Sequence, residues 1–191
     1  GIELSAALFG LQRLPSCGEE ARELLRLLAW RVGLSKHLVL TTTCFKNVIF
    51  GLQAMSSEQE EVRDLLRALL LHCSEQQDQQ PRGDPLRIGD FVGTSLYGMR
   101  EMSSEHVEVR ALLVRVLDEA EREAGPESDS MSASTRASQA FSARNISNAL
   151  YGLQNMSSRH RHVRRAVSLA TAALQAHTSR QRLLAASDPE G

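Results

Sequence analysis

The chain has 191 residues, 42% of them apolar and only 4% aromatic, which leaves room for one or two ordinary domains or a short repeat array with a thin core. No apolar run approaches the roughly 18 residues of a membrane span, and three scattered cysteines, Cys17, Cys44 and Cys73, offer neither a disulfide framework nor a zinc spacing. The formal charge of −1 hides a split: residues 1–135 carry 14 basic and 21 acidic side chains, whereas 136–182 carry eight arginines and no acid. Attraction for a polyanion is therefore expected at the C-terminal end, unless those arginines simply solvate a helix face.

An eleven-residue phrase organises everything else. It reads AALFGLQRLPS from Ala6, NVIFGLQAMSS from Asn47, TSLYGMREMSS from Thr94 and NALYGLQNMSS from Asn148. Its glycines, Gly10, Gly51, Gly98 and Gly152, stand 41, 47 and 54 residues apart, a unit of about forty residues with lengthening insertions.

In chain order, the first unit (2–34) sets Leu4, Leu8, Leu11 and Leu14 on one helical stripe, then Ala21, Leu24, Leu25 and Leu28 on a second. The second unit (40–74) is entered through HLVLTTTCF, whose threonines are expected to cap and start a helix. Its stripes are Phe45, Ile49, Leu52, Met55 and then Val62, Leu65, Leu66, Leu69. Between them Ser56-Ser57 stops the first helix, with Ser57 expected as N-cap of the second and Glu60 completing a capping box. An insertion at 74–87 reads as a flexible loop.

The third unit (88–123) repeats the pattern with Val92, Leu96, Met99, Met102 and Val109, Leu112, Leu113, Val116. A second insertion, 124–140, reads as a flexible, disordered loop. The fourth unit (141–184) has Ile146, Leu150, Leu153, Met156 and Val163, Ala166, Val167, Ala170. The glycine lies beside the first stripe, where a missing side chain lets another helix approach closely. The expected fold is all-α: a right-handed αα-hairpin solenoid of about four two-helix repeats in a single array, 1–191, with disordered insertions.

Candidate ligand residues follow from the same register. Four before the glycine stand Ala6, Asn47, Thr94 and Asn148, opposite the apolar stripe; their amides and hydroxyl can read the edge of an unstacked base or bond a neighbouring loop. One before it come Phe9, Phe50, Tyr97 and Tyr151, which can stack on bases or fill the space between hairpins. Two after it, Gln53, Arg100 and Gln154 are open to either role. Twelve after it, Arg22, Arg63, Arg110 and Arg164 form a ladder suited to phosphates or to salt bridges with upstream glutamates; Arg161 and Arg165 add to it in the acid-free fourth unit.

The segment FSARNISNALYGLQNMSS (141–158) resembles the first-helix signature of octotricopeptide-type repeats, related to units of FAST-kinase-like, RAP-domain-associated proteins. Phe141, Ala143, Ile146, Asn148, Tyr151, Gly152 and Leu153 carry the match, with Arg144 where that family has Gln. The second unit keeps Leu40, Phe45, Asn47, Phe50, Gly51 and Leu52. The resemblance implies single-stranded RNA as partner, in a mitochondrion or plastid. The alternative is a protein–protein interaction scaffold of αα-repeat type. No glycine-rich phosphate loop or Gly-x-Ser-x-Gly elbow occurs, so no catalytic residue, metal or cofactor is expected. The chain opens on Gly1 with no visible targeting segment and reads as a fragment or processed form.

Overall fold

The register that recurs in the sequence recurs in space. A computed structural model describes residues 1–35, 38, 40–75, 88–123 and 141–187, and all regular structure among them is helical. The helices are α1 (Ile2–Gly10), α2 (Glu19–Gly33), α3 (Thr42–Gly51), α4 (Glu60–Glu75), α5 (Ile88–Gly98), α6 (Val107–Glu123), α7 (Ala143–Gly152) and α8 (Arg161–Ser187). Of the two insertions, 76–87 and 124–140 lie outside the described residues. No helix is long and apolar enough to cross a membrane among the described residues.

Helices α3 and α7 start at side-chain caps, whereas α1 and α2 start at Gly1 and Gly18 without one. The Thr41 hydroxyl accepts from the Cys44 N–H, and the Ser142 hydroxyl from the Asn145 N–H, each at 3.2 Å. The residue before each cap, Leu40 or Phe141, is buried together with the residue five further on, Phe45 or Ile146, the positions of a hydrophobic staple.

Each first helix ends at its glycine, whereas the sequence pattern carried the apolar stripe past it. Beyond the helix the chain winds through two i→i+3 turns: Leu52 N–H to Ile49 O at 3.0 Å, then Met55 N–H to Leu52 O at 2.8 Å, with the same pair in every unit. This tight winding keeps the turn residues on the core side, so Leu52, Met55, Met99 and Met102 are fully buried although none is helical.

The first helices pack on one another, α1 on α3, α3 on α5 and α5 on α7. The second helices do likewise, α2 on α4, α4 on α6 and α6 on α8, while α5–α6 and α7–α8 pack within their units. One continuous core runs through all eight and takes in Leu65, Leu66, Leu112 and Leu113, each worth roughly 1.5–3 kcal/mol of burial.

The glycines set how close the first helices come. A Cβ on Gly51, Gly98 or Gly152 would lie 2.0, 2.3 or 2.0 Å from the carbonyl oxygen of Leu8, Ile49 or Leu96, the residue two before the glycine of the preceding unit. Only a residue without a side chain permits that approach. Gly10, with no unit ahead of it, has nothing within 4 Å.

The serine pair works across units, which corrects the capping box. Ser57 is fully buried and its hydroxyl accepts from the Ser103 N–H of the next unit at 2.8 Å; Ser104 accepts from Ser157 N–H at 2.8 Å, and Ser16 from Ser56 N–H at 3.0 Å. The second serine thus satisfies a half-buried backbone donor on its neighbour, and α4 begins three residues after Ser57, at Glu60. The first serine turns back on its own loop, Ser56 Oγ accepting from Glu58 N–H at 3.3 Å.

Second helices are tied by ion pairs: Arg26 to Glu61 and Arg67 to Glu108, both at 2.6 Å, and Arg165 to Asp118 at 2.8 Å and to Glu121 at 2.7 Å. Buried Glu119 of α6 pairs with Arg115 at 2.7 Å and accepts from the Thr42 hydroxyl at the start of α3 at 3.1 Å.

Four stripe positions depart from the expected burial, and all belong to the outer units. Leu14 and Leu24 of the first unit, and Leu150 and Val167 of the fourth, are 40%, 38%, 47% and 40% exposed. Their equivalents in the two inner units are buried.

Candidate ligand-facing surface

The row of first helices carries the Asn/Thr register and the aromatic register. Its most regular feature is a column of rings. Phe9, Phe50, Tyr97 and Tyr151 stack in sequence at centroid separations of 5.6, 6.0 and 5.7 Å, tilted by 22–27°. The inner rings, Phe50 and Tyr97, have a neighbouring ring on either side, and the Arg100 guanidinium lies 4.7 Å from the Tyr97 centroid. Their place is between units, as gap-filling between successive first helices requires; half-exposed Tyr151 keeps an outer face.

The polar position three residues further on builds a second ladder. Gln53 is buried and donates to Gln12 Oε1 at 3.4 Å; Arg100 donates to Gln53 Oε1; Gln154 and Asn155 donate to the Arg100 carbonyl at 3.2 and 2.8 Å. Gln53, Arg100 and Gln154 are thereby joined to one another across the units.

Arg63, Arg110 and Arg164 take a role for which the sequence offered no signal. Each Nη1 donates to two carbonyls of its own inter-helix turn: Ser57 and Glu58 at 2.7 and 2.9 Å, Ser104 and Glu105 at 2.7 and 2.9 Å, Ser158 and Arg159 at 2.9 and 2.8 Å. Carbonyls carry no formal charge, so these contacts fix the guanidinium without neutralising it. Arg22 differs and pairs with Glu19.

In the fourth unit Arg161 is exposed and donates to the His162 ring at 3.1 Å. Burial first, then the charges of Arg161 and Arg165, pull His162 below the usual histidine value. Arg165 is engaged by Asp118 and Glu121, whose hydrogen bonds outweigh burial and raise its pKa.

The remaining ligand candidates, Asn47, Thr94 and Asn148, are half-buried at one register of α3, α5 and α7. Thr94 and Asn148 open into a common cavity of about 450 Å³, lined also by Phe50, Asp90, Ser142, Arg144 and Asn145. Asn47 does not line it. Next to this lining α5 and α7 meet closely: a Cβ on Gly93 would lie 2.7 Å from the Asn145 carbonyl oxygen.

Asp90 and Arg144 were missed by the sequence reading. Both stand eight before their glycines, but that position is Ile2, Thr43, Asp90 and Arg144 in the four units, so no repeated residue type marks it. The Asp90 carboxylate is held by the Lys46 ammonium at 2.6 Å, and Arg144 is exposed with no ion-pair partner among the described residues.

The arrangement offers acceptors, donors and an aromatic side chain at one opening, with the Arg144 guanidinium among them. Among the described residues no group of three His, Cys, Asp or Glu side chains is placed to hold a metal. No protein-family model, curated protein or solved structure matches this chain, so the functional reading rests on its own residues and on the first-helix resemblance.

Proposed function

We propose that this chain is an RNA-binding helical repeat protein without catalytic activity. In this reading the four units form a right-handed αα-hairpin solenoid of octotricopeptide-like type, and the protein acts in organellar (mitochondrial or plastid) RNA metabolism. Single-stranded RNA runs along the row of first helices. The observation that carries the proposal is the cavity shared by Thr94 and Asn148, two successive members of the polar register, with Asp90 and Arg144 beside them. Edge-reading groups of this kind suit unstacked bases. Arg63, Arg110 and Arg164, held by uncharged carbonyls, retain charge for phosphates, and exposed Arg159 and Arg161 extend that charge in the fourth unit.

Salt-dependent binding tests the proposal. Fluorescence anisotropy of labelled single-stranded RNA should show affinity at low ionic strength that falls as salt rises. Arg164→Glu and Asn148→Ala should weaken it, with the helical circular dichroism spectrum retained. Absence of binding at low salt would overturn the proposal and favour a protein-interaction scaffold. That second reading has its own observation: Leu27, Trp30 and Leu34 of the first unit are 54%, 64% and 53% exposed.

A further inference from the structure

The cavity between α3, α5 and α7 has a chemistry that discriminates among bases, an inference that rests on the RNA reading above. Asp90 is the decisive group. Its Oδ2 is fixed by Lys46 at 2.6 Å and its Oδ1 lies 3.5 Å from the Thr94 hydroxyl, yet its side chain is 47% exposed. The carboxylate is therefore oriented and still reachable.

An ionised carboxylate only accepts hydrogen bonds. Of the four bases, guanine alone places two donors side by side on its Watson–Crick edge, N1–H and the N2 amine. Adenine and cytosine set one donor beside an acceptor, and uracil has one donor between two acceptors. The same carboxylate repels phosphate, which turns a base, and not the backbone, toward it. Arg144 lines the same opening and supplies the complement, since a guanidinium fork suits the O6 and N7 acceptors of guanine. Asn145 and Asn148 add amides, and Phe50 an aromatic wall.

We propose that this cavity is a guanine-selective pocket for one unstacked base of single-stranded RNA, with Asp90 reading N1–H and the N2 amine and Arg144 reading O6 and N7. The carboxylate occurs at this register in the third unit alone, so the four units provide one such pocket.

Inosine gives the test, because it keeps N1–H, O6 and N7 and lacks only the N2 amine. The 191-residue chain is titrated at low salt against labelled oligouridine carrying one central guanosine, inosine or adenosine, and against oligouridine alone. A hydrogen bond to a charged acceptor is worth roughly a factor of ten, so the guanosine oligomer should bind about tenfold more tightly than the inosine one. Asp90→Asn should bring that ratio to about one. Equal affinity of the wild-type chain for guanosine and inosine oligomers overturns the pocket and leaves RNA binding standing. A guanosine preference that survives Asp90→Asn removes Asp90 from the role. If no oligomer binds, the RNA reading fails and the pocket with it.

Discussion

At Gly98 an added methyl group would lie 2.3 Å from the Ile49 carbonyl oxygen and 2.9 Å from the Phe50 Cα, both backbone atoms that cannot swing aside. At Gly10, in the same register, it would meet nothing within 4 Å. One substitution type should therefore change sign along the chain. Gly98→Ala forces two helices apart and should cost about 3 kcal/mol or more. Gly10→Ala relieves only the conformational freedom of glycine and should be neutral or stabilise by up to about 1 kcal/mol. Urea denaturation of the two variants measures both, and comparable losses at the two sites would refute close packing as the reason for the glycine. The sequence already placed this residue beside the apolar stripe at a point of close approach. It held no sign that the first copy has nothing to approach.

Between second helices the ties are electrostatic, and their pH dependence can be assigned. The Glu61 carboxyl is held below the usual glutamate value chiefly by a backbone hydrogen bond, with Arg26 adding to it against burial. At Glu108 burial pushes upward, but the Arg67 hydrogen bond and a backbone bond outweigh it, and its pKa too is depressed. A depressed carboxylate binds fewer protons folded than unfolded, so its stabilisation is present above the unfolded value of about 4.3 and is lost as pH falls through the folded one. Urea midpoints should therefore drop between pH 5 and pH 3, and Glu61→Gln with Glu108→Gln should make that drop shallower. Helices themselves were legible in the sequence because apolar residues at i, i+3, i+4 and i+7 report burial on one face, as Val62, Leu65, Leu66 and Leu69 do. The partners across units were not. A serine reads as a cap for the helix that follows it, and nothing in a single repeat says that Ser57 instead receives the Ser103 N–H of the next. The Asp90–Arg144 opening was hidden for the same reason, since it joins residues of two units that share a register but no chemistry.

Across the whole molecule, units contact their neighbours in order, which makes inner and outer units unequal. Leu65 and Leu112 are fully covered where Leu24 is 38% exposed, and Leu66 and Leu113 are covered where Val167 is 40% exposed. Each outer unit has one junction and each inner unit two, so opening should proceed from the outside inward. Amide hydrogen exchange is then expected to be slowest in α4 and α6 and faster in α1, α2, α7 and α8. Ser104→Ala sharpens the test because it strikes one junction alone. It removes the acceptor that Ser157 N–H reaches at 2.8 Å, leaving a donor unpaired at a cost of about 1–3 kcal/mol. The variant should speed exchange in α7 and α8 and leave α4 unchanged, because the loss belongs to the third–fourth junction. Equal acceleration in α4 would mean that the units open together as one cooperative body, and a description by successive junctions would no longer hold.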